Sequence, residues 1–172
     1  MKKNIFYDSV PFCDKKTAVA MGIFDGVHLG HRSVIKEAVS FKEKDFMAVA
    51  FTFKNETVFK KGEKIKGILS DDIKAERLIK LGCDMVVSPD FCEFKEYSCE
   101  DFAREILIKR LNAGVVVCGE DFRFGKNASG DYETLKKLGE SLGFEVRVVK
   151  AYEVDGEVLS STMVRSLINN GE

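Results

Sequence analysis

His28 and His31 are the two histidines of this 172-residue chain. They share the stretch Met21-Gly22-Ile23-Phe24-Asp25-Gly26-Val27-His28-Leu29-Gly30-His31, with two residues between them. On a first helical turn that spacing lets both rings face one anion. Gly26 and Gly30 permit a tight turn and a close approach of ligand to backbone. Residues 17–23 before the turn are apolar and β-branched, which predicts a buried strand. Residues 33–41 after it place Val34, Ile35, Ala38 and Val39 at helical spacing. A strand, a glycine-containing turn and a helix together hold phosphate: free N–H groups at the helix start point at the anion, and the helix dipole adds favourable charge. Three other readings stand on these residues alone. The histidines are ordinary polar residues at a helix start, half of a metal site, or part of a dinucleotide loop. A zinc set lacks its partners, with no nearby cysteine or acidic cluster, and Gly-x-Gly-x-x-Gly is absent.

Two later stretches also follow expected strands. Gly119-Glu120-Asp121-Phe122-Arg123-Phe124-Gly125 precedes Ser129-Gly130-Asp131. There Gly119 lets the strand turn beside a ligand, Phe122 and Phe124 offer faces to a flat ring, and Arg123 and Lys126 can meet phosphate. The bland alternative is a charged loop with two core phenylalanines. Ser160-Ser161-Thr162-Met163-Val164-Arg165 puts hydroxyls at a helix start with an arginine one turn on. Its bland alternative is an ordinary N-cap with a surface arginine.

The elements that position these residues follow from pattern. Residues 1–16 are mixed and contain Pro11, which predicts a short edge strand or arm. The first helix is expected to run to about Lys44 and the second strand over 46–53. Residues 54–67 are rich in lysine and carry Gly62 and Gly67, predicting an exposed loop. Ser70-Asp71-Asp72 starts a helix with an apolar face of Ile73, Leu78, Ile79 and Leu81, ended by Gly82. A short strand is expected over 84–87. The aromatics of the loop 88–97, Phe91, Phe94 and Tyr97, are expected to pack under the domain. Ser98 and Asp101 resemble a capping box opening a helix to Leu111. Strands over 115–118 and 144–149 flank a helix from Asp131 to Leu142. Asp155-Gly156 predicts a tight turn, and a last helix runs from Ser160 to Asn169. Strands alternating with helices imply an α/β fold with a Rossmann-like parallel sheet and helices on both faces. Ligands then bind at the carboxyl ends of the strands where strand order reverses.

Composition is that of an ordinary soluble domain: 45% hydrophobic, 32% charged, net charge −1. It offers no reason to expect nucleic acid, and no stretch is long and apolar enough for a membrane span. Five cysteines with no C-x-x-C pair favour reduced thiols in a cytoplasmic protein, Cys92 and Cys99 included. One domain over residues 1–172 is expected.

The motif ending in His28-Leu29-Gly30-His31 resembles the first motif of the FMN adenylyltransferase (FAD synthetase) domain of bacterial bifunctional riboflavin kinases, within the His-x-Gly-His nucleotidyltransferases. The stretches from Gly119 and Ser160 resemble its second and third motifs, in the expected order. The resemblance implies a nucleotidyltransferase fold and transfer of AMP from ATP to FMN, giving FAD and pyrophosphate, with Mg²⁺ accompanying ATP and no dedicated protein metal site. It implies catalytic roles for His28, His31, Ser161, Thr162 and Arg165. ATP contacts fall to Gly22, Phe24, Asp25, Gly26, Gly119 and Asp121 together with those five. Flavin contacts fall to Phe53, Asp121 and Phe124. A riboflavin kinase domain is not expected in this sequence. The chain departs from the family at Lys54-Asn55-Glu56, where Thr-Phe is usually followed by Asp or Glu and Pro-His-Pro, and at Val158, where some members carry a basic residue. Two other functions stay open: a nucleotidyltransferase of the same fold with a different phosphorylated acceptor, and a non-catalytic nucleotide- or flavin-binding module.

Overall fold

The computed structural model describes residues 4–55 and 68–169, without the side chains of Ser161, Thr162, Arg165 and Asn169. Six strands form one parallel sheet in the order β1-β4-β3-β2-β5-β6. They are β1 (Ile5–Phe6), β2 (Thr17–Met21), β3 (Met47–Phe51), β4 (Met85–Val87), β5 (Ala113–Gly119) and β6 (Glu145–Val149). The first residues do supply the expected edge strand, paired to β4 through Ile5 and Phe6.

The central strands read as continuous apolar runs because both faces are covered. On one face Ala18, Ala20, Ala50, Val115 and Val117 pack against Val34, Ile35 and Ala38 of α1 (Leu29–Ser40) and Ala75 and Leu78 of α2 (Asp71–Lys80). On the other, Val19, Met21, Val49, Phe51, Val116 and Cys118 meet Phe102, Ala103, Ile106 and Leu107 of α3 and Leu135 of α4 (Tyr132–Leu142). Helix α3 starts as Cys99–Asp101 and continues as a π-helical run, Phe102–Arg110. The alanines of β2 and β3 leave room for α1 to lie close to the sheet.

The expected caps are present. Ser70 Oγ accepts from the Ile73 N–H (3.3 Å), Ser98 Oγ from Asp101 (3.0 Å) and Asp131 Oδ1 from Thr134 (3.0 Å). Each satisfies an N–H that the helix leaves unpaired. The first helix stops at Ser40, and a 3-10 turn, Phe41–Lys44, completes its expected length. Antiparallel β7 (Glu153–Val154) and β8 (Glu157–Val158) flank Asp155-Gly156, whose φ values of 52° and 82° give the paired left-handed turn a two-residue hairpin needs. Helix α5 (Ser161–Asn169) follows.

Two expectations differ. Leu78 of α2 is buried as expected, with Ile79 and Leu81 packed against the core, but at the helix start Ile73 is 45% exposed and Lys74 is 0% exposed. The lysine tolerates that position because its ammonium is hydrogen-bonded there. The lysine-rich stretch lies outside the described residues from 56 to 67, so its reading as a loop is not addressed there. At its start, Asn55 is buried rather than exposed. No helix among the described residues is long and apolar enough to cross a membrane. Strand order reverses at β2, with β3 on one side and β5 on the other. The chain leaving β2 and β5 therefore opens a crevice at the carboxyl edge of the sheet.

Candidate active site

The turn leaving β2 holds left-handed backbone at Phe24 (φ 52°), Gly26 (φ 81°) and Val27 (φ 45°). A β-branched residue such as Val27 rarely adopts this region. The surroundings hold it there: Phe24 and Val27 are buried, and Asp25 Oδ1 accepts the Ile68 N–H at 2.7 Å. Strain of this kind, fixed by its neighbours, is characteristic of functional turns. It delivers His28 to the N-cap of α1 and His31 to that helix's third position.

The two rings stack with centroids 3.5 Å apart. His28 Nδ1 accepts the N–H groups of Gly30 (3.1 Å) and His31 (3.3 Å), and His31 Nδ1 accepts the His28 N–H (3.3 Å). A nitrogen that accepts carries no proton, so each neutral ring keeps Nε2–H as the donor it can offer a ligand. The protonation equilibria agree. Burial pushes the His31 pKa down to about 3, helped by the positive charge His28 and Lys74 can carry. Burial also lowers His28, while Asp121 and Asp25 pull the other way. The expectation that backbone N–H groups at the helix start point at an anion is altered, because His28 occupies two of them.

Both rings line a cavity of about 470 Å³, within the range of small-molecule sites. The turn after β2 contributes Gly22, Ile23 and Phe24, and the end of β3 contributes Phe51 and Phe53. The end of β5 contributes Gly119, and beyond it lie Glu120, Asp121, Phe122 and Arg123; beyond β6 lie Lys150, Ala151 and Tyr152. Glu120 Oε2 accepts the Ala151 N–H at 3.0 Å and ties these last two segments together.

The structure thus brings Gly22, Phe24, His28, His31, Phe53, Gly119 and Asp121 onto one set of walls. Three expected contacts are not on them. Asp25 is buried and turned to Ile68. Gly26 faces Ile68, whose Cδ1 lies 3.0 Å from where a Cβ would be. Phe124 is core, 8% exposed and packed on Phe102 and Phe122. These residues shape the turn and its support. Lys126 is paired with Glu96 at 2.9 Å, away from the walls. Ser160 is on the wall, and its Oγ accepts the Met163 N–H at 3.1 Å, opening α5. The side chains of Ser161, Thr162 and Arg165 lie outside the described part of the structure.

Sequence reasoning missed Phe91, Lys150 and Tyr152 on the walls and Lys74 beneath them. Lys150 and Tyr152 were findable, since they follow an expected strand at the ligand-binding edge. Phe91, expected to pack under the domain, is instead 37% exposed and reaches the cavity beside Phe53, ring to ring at 5.2 Å. Among the described residues no group of three His, Cys, Asp or Glu side chains forms a metal site. All five cysteines are free thiols, Cys92 and Cys99 among them.

Residues 11–163 match the FAD synthetase family. The chain is 34% identical over 160 residues to a putative bifunctional riboflavin kinase/FMN adenylyltransferase of Geobacillus thermodenitrificans, covering 91% of this chain and 84% of that one. It is 30% identical over 166 residues to an FAD synthetase of Listeria monocytogenes, covering 94% and 67%. A bifunctional riboflavin kinase/FMN adenylyltransferase of the same organism is 32% identical over 92% of this chain, which spans 52% of that protein. The chain thus spans about half the length of several of the bifunctional relatives it matches. In fold it is similar to a macrolide-efflux protein of Streptococcus pneumoniae (TM-score 0.80, 24% identity, 95% and 55% covered). It is also similar to a pantothenate synthetase of Thermus thermophilus (TM-score 0.59, 18% identity, 93% and 67% covered).

Proposed function

The chain belongs to the FAD synthetase family, and on that footing we propose that it transfers AMP from ATP to FMN, giving FAD and pyrophosphate. The carrying observation is the stacked pair His28 and His31, both held with Nδ1 as acceptor, at the point where strand order reverses.

A phosphate oxygen of FMN attacks the α-phosphorus of ATP. The bond from that phosphorus to the β-phosphate oxygen breaks, and pyrophosphate leaves with the electron pair. The nucleophile is already an anion, so positioning and charge stabilisation carry the catalysis rather than a strong base. Nε2–H of His28 and of His31 donate to the phosphate oxygens as charge shifts. One such donor is typically worth ~10²–10³ in rate. A neutral donor pair adds no net charge that would hold ATP equally tightly before reaction, so its effect is concentrated on the transition state.

The remaining roles follow the walls. Gly22, Phe24, Gly119 and Asp121 flank the nucleotide. Arg123 and Lys150 supply cationic charge to the phosphates. Ser161, Thr162 and Arg165, at the start of α5, hold the leaving pyrophosphate. Phe53, with Phe51 and Phe91 against it, gives the flavin ring an apolar face. Asp121, on the wall, would be the side chain to lie beside a Mg²⁺ ion accompanying ATP, and that ion would supply neutralisation of phosphate charge.

A second reading keeps the chemistry and changes the acceptor to another phosphorylated alcohol. It is favoured by Lys54-Asn55, because Asn55 is folded into the support of the acceptor wall rather than presented to it. Mass spectrometry of products after incubation with ATP, Mg²⁺ and a panel of phosphorylated acceptors including FMN separates the two. FAD as the dominant adduct supports the first. A different dominant adduct, with FMN unchanged, supports the second.

A further inference from the structure

Lys74 is absent from the walls of the cavity, yet its ammonium is bonded to the chain segments that build two of them. It donates to Phe53 O (2.8 Å), Asn55 Oδ1 (2.9 Å), Ile23 O (3.4 Å) and Thr52 Oγ1 (3.4 Å). Asp71 Oδ1 is 3.5 Å away. An ammonium has three protons to place, and burial is tolerable only when all are bonded. Replacing a buried, paired charge by a packed apolar side chain is often neutral or stabilising. A buried cation here is therefore better explained by what it fixes.

What it fixes is main chain. The shortest bond goes to the carbonyl of Phe53, whose ring is on the wall and meets Phe51 at 5.4 Å and Phe91 at 5.2 Å. Asn55 completes the brace. Its N–H donates to Asp71 Oδ1 (3.0 Å) and its Nδ2 to Leu69 O (2.6 Å). Thr52 Oγ1 donates to Ile23 O (2.6 Å), joining the exits of β3 and β2. Resting on the reading of FMN as acceptor, we propose that Lys74, with Asn55 and Asp71, is the positioning residue of the acceptor side, fixing the path after β3 so that Phe53 presents its ring to the flavin. The brace uses a segment where this chain departs from its family's usual motif, so the departure supports the wall from behind.

The test uses the full chain with Lys74→Met, which keeps length and loses the charge, and Asn55→Ala, which keeps the lysine and removes one partner. Steady-state kinetics with FMN and ATP varied separately should show KM for FMN raised roughly tenfold in both variants, with KM for ATP within about twofold. Equal rises in both KM values, or an unchanged KM for FMN, overturns the proposal. Should Lys74→Met fail to fold, Asn55→Ala decides. Should the wild type leave FMN unconverted, the functional reading falls, and amide exchange decides the brace on its own. Faster exchange of the Lys54 and Asn55 amides, with α1 still protected, supports it. Unchanged exchange there overturns it.

Discussion

His28 and His31 cap each other's backbone through the same ring atom. His28 Nδ1 accepts the His31 N–H, and His31 Nδ1 accepts the His28 N–H, each at 3.3 Å. The exchange fixes the tautomer of both rings and makes each ring part of the helix start. The same pair carries the donor role proposed above, and the first prediction separates that role from the helix start. His28→Asn keeps an N-cap acceptor and loses the Nε2–H donor, whereas His28→Ala loses both. Turnover should fall by ~10²-fold or more in each. Stability should fall by about 1 kcal/mol in the alanine variant and by little in the asparagine variant. Initial rates and urea melts read both, and near-normal turnover in His28→Asn removes the donor role.

The second prediction concerns acid. His31 is held at about pKa 3 against an ordinary 6.5. The unfolded chain therefore binds the proton first. The stability due to neutral His31 is fully present above pH 6.5 and is lost as pH falls from 6.5 toward 3. Urea midpoints measured across that window should decline less steeply in His31→Gln than in the wild type. Parallel slopes contradict the burial of a neutral ring.

A third prediction uses the space at Gly30. A Cβ there would lie 2.9 Å from His28 Cε1. Gly30→Ala should therefore push the ring off its station and lower turnover roughly tenfold or more, since small misplacements of catalytic groups are costly. The melting temperature should move little, because a side chain yields rather than backbone. Wild-type turnover would show that the ring's position is not critical.

The two phenylalanines assigned to flavin from the sequence should now part company. Phe53→Ala should raise KM for FMN with a modest loss of stability. Phe124→Ala should cost about 3–5 kcal/mol, as for other buried aromatics, and leave KM for FMN unchanged where the protein remains folded. The reverse pattern would place the flavin on the Phe124 side.

The fold was legible because its signals are local and repeated. Apolar runs at β2, β3 and β5, serine and aspartate caps at Ser70, Ser98 and Asp131, and Asp155-Gly156 each specify their element within a few residues. Spacing indicated which segments approach the crevice, but not which way each side chain turns. Phe122 and Phe124 alternate along the chain, and only packing against Phe102 decides that Phe124 is core. Asp25 reads as a ligand contact and instead receives an amide forty-three residues away. Lys74 was hidden because polarity argues for exposure, and its acceptors come from β2 and β3 exits distant in sequence.

Attack of the FMN phosphate on the α-phosphorus of ATP can be followed with FMN whose terminal phosphate oxygens carry ¹⁸O, incubated with ATP and Mg²⁺, by mass spectrometry of both products. FAD should retain all of the labelled oxygens and pyrophosphate should hold none. FAD no greater than in a no-enzyme control, or label in the pyrophosphate, would contradict it.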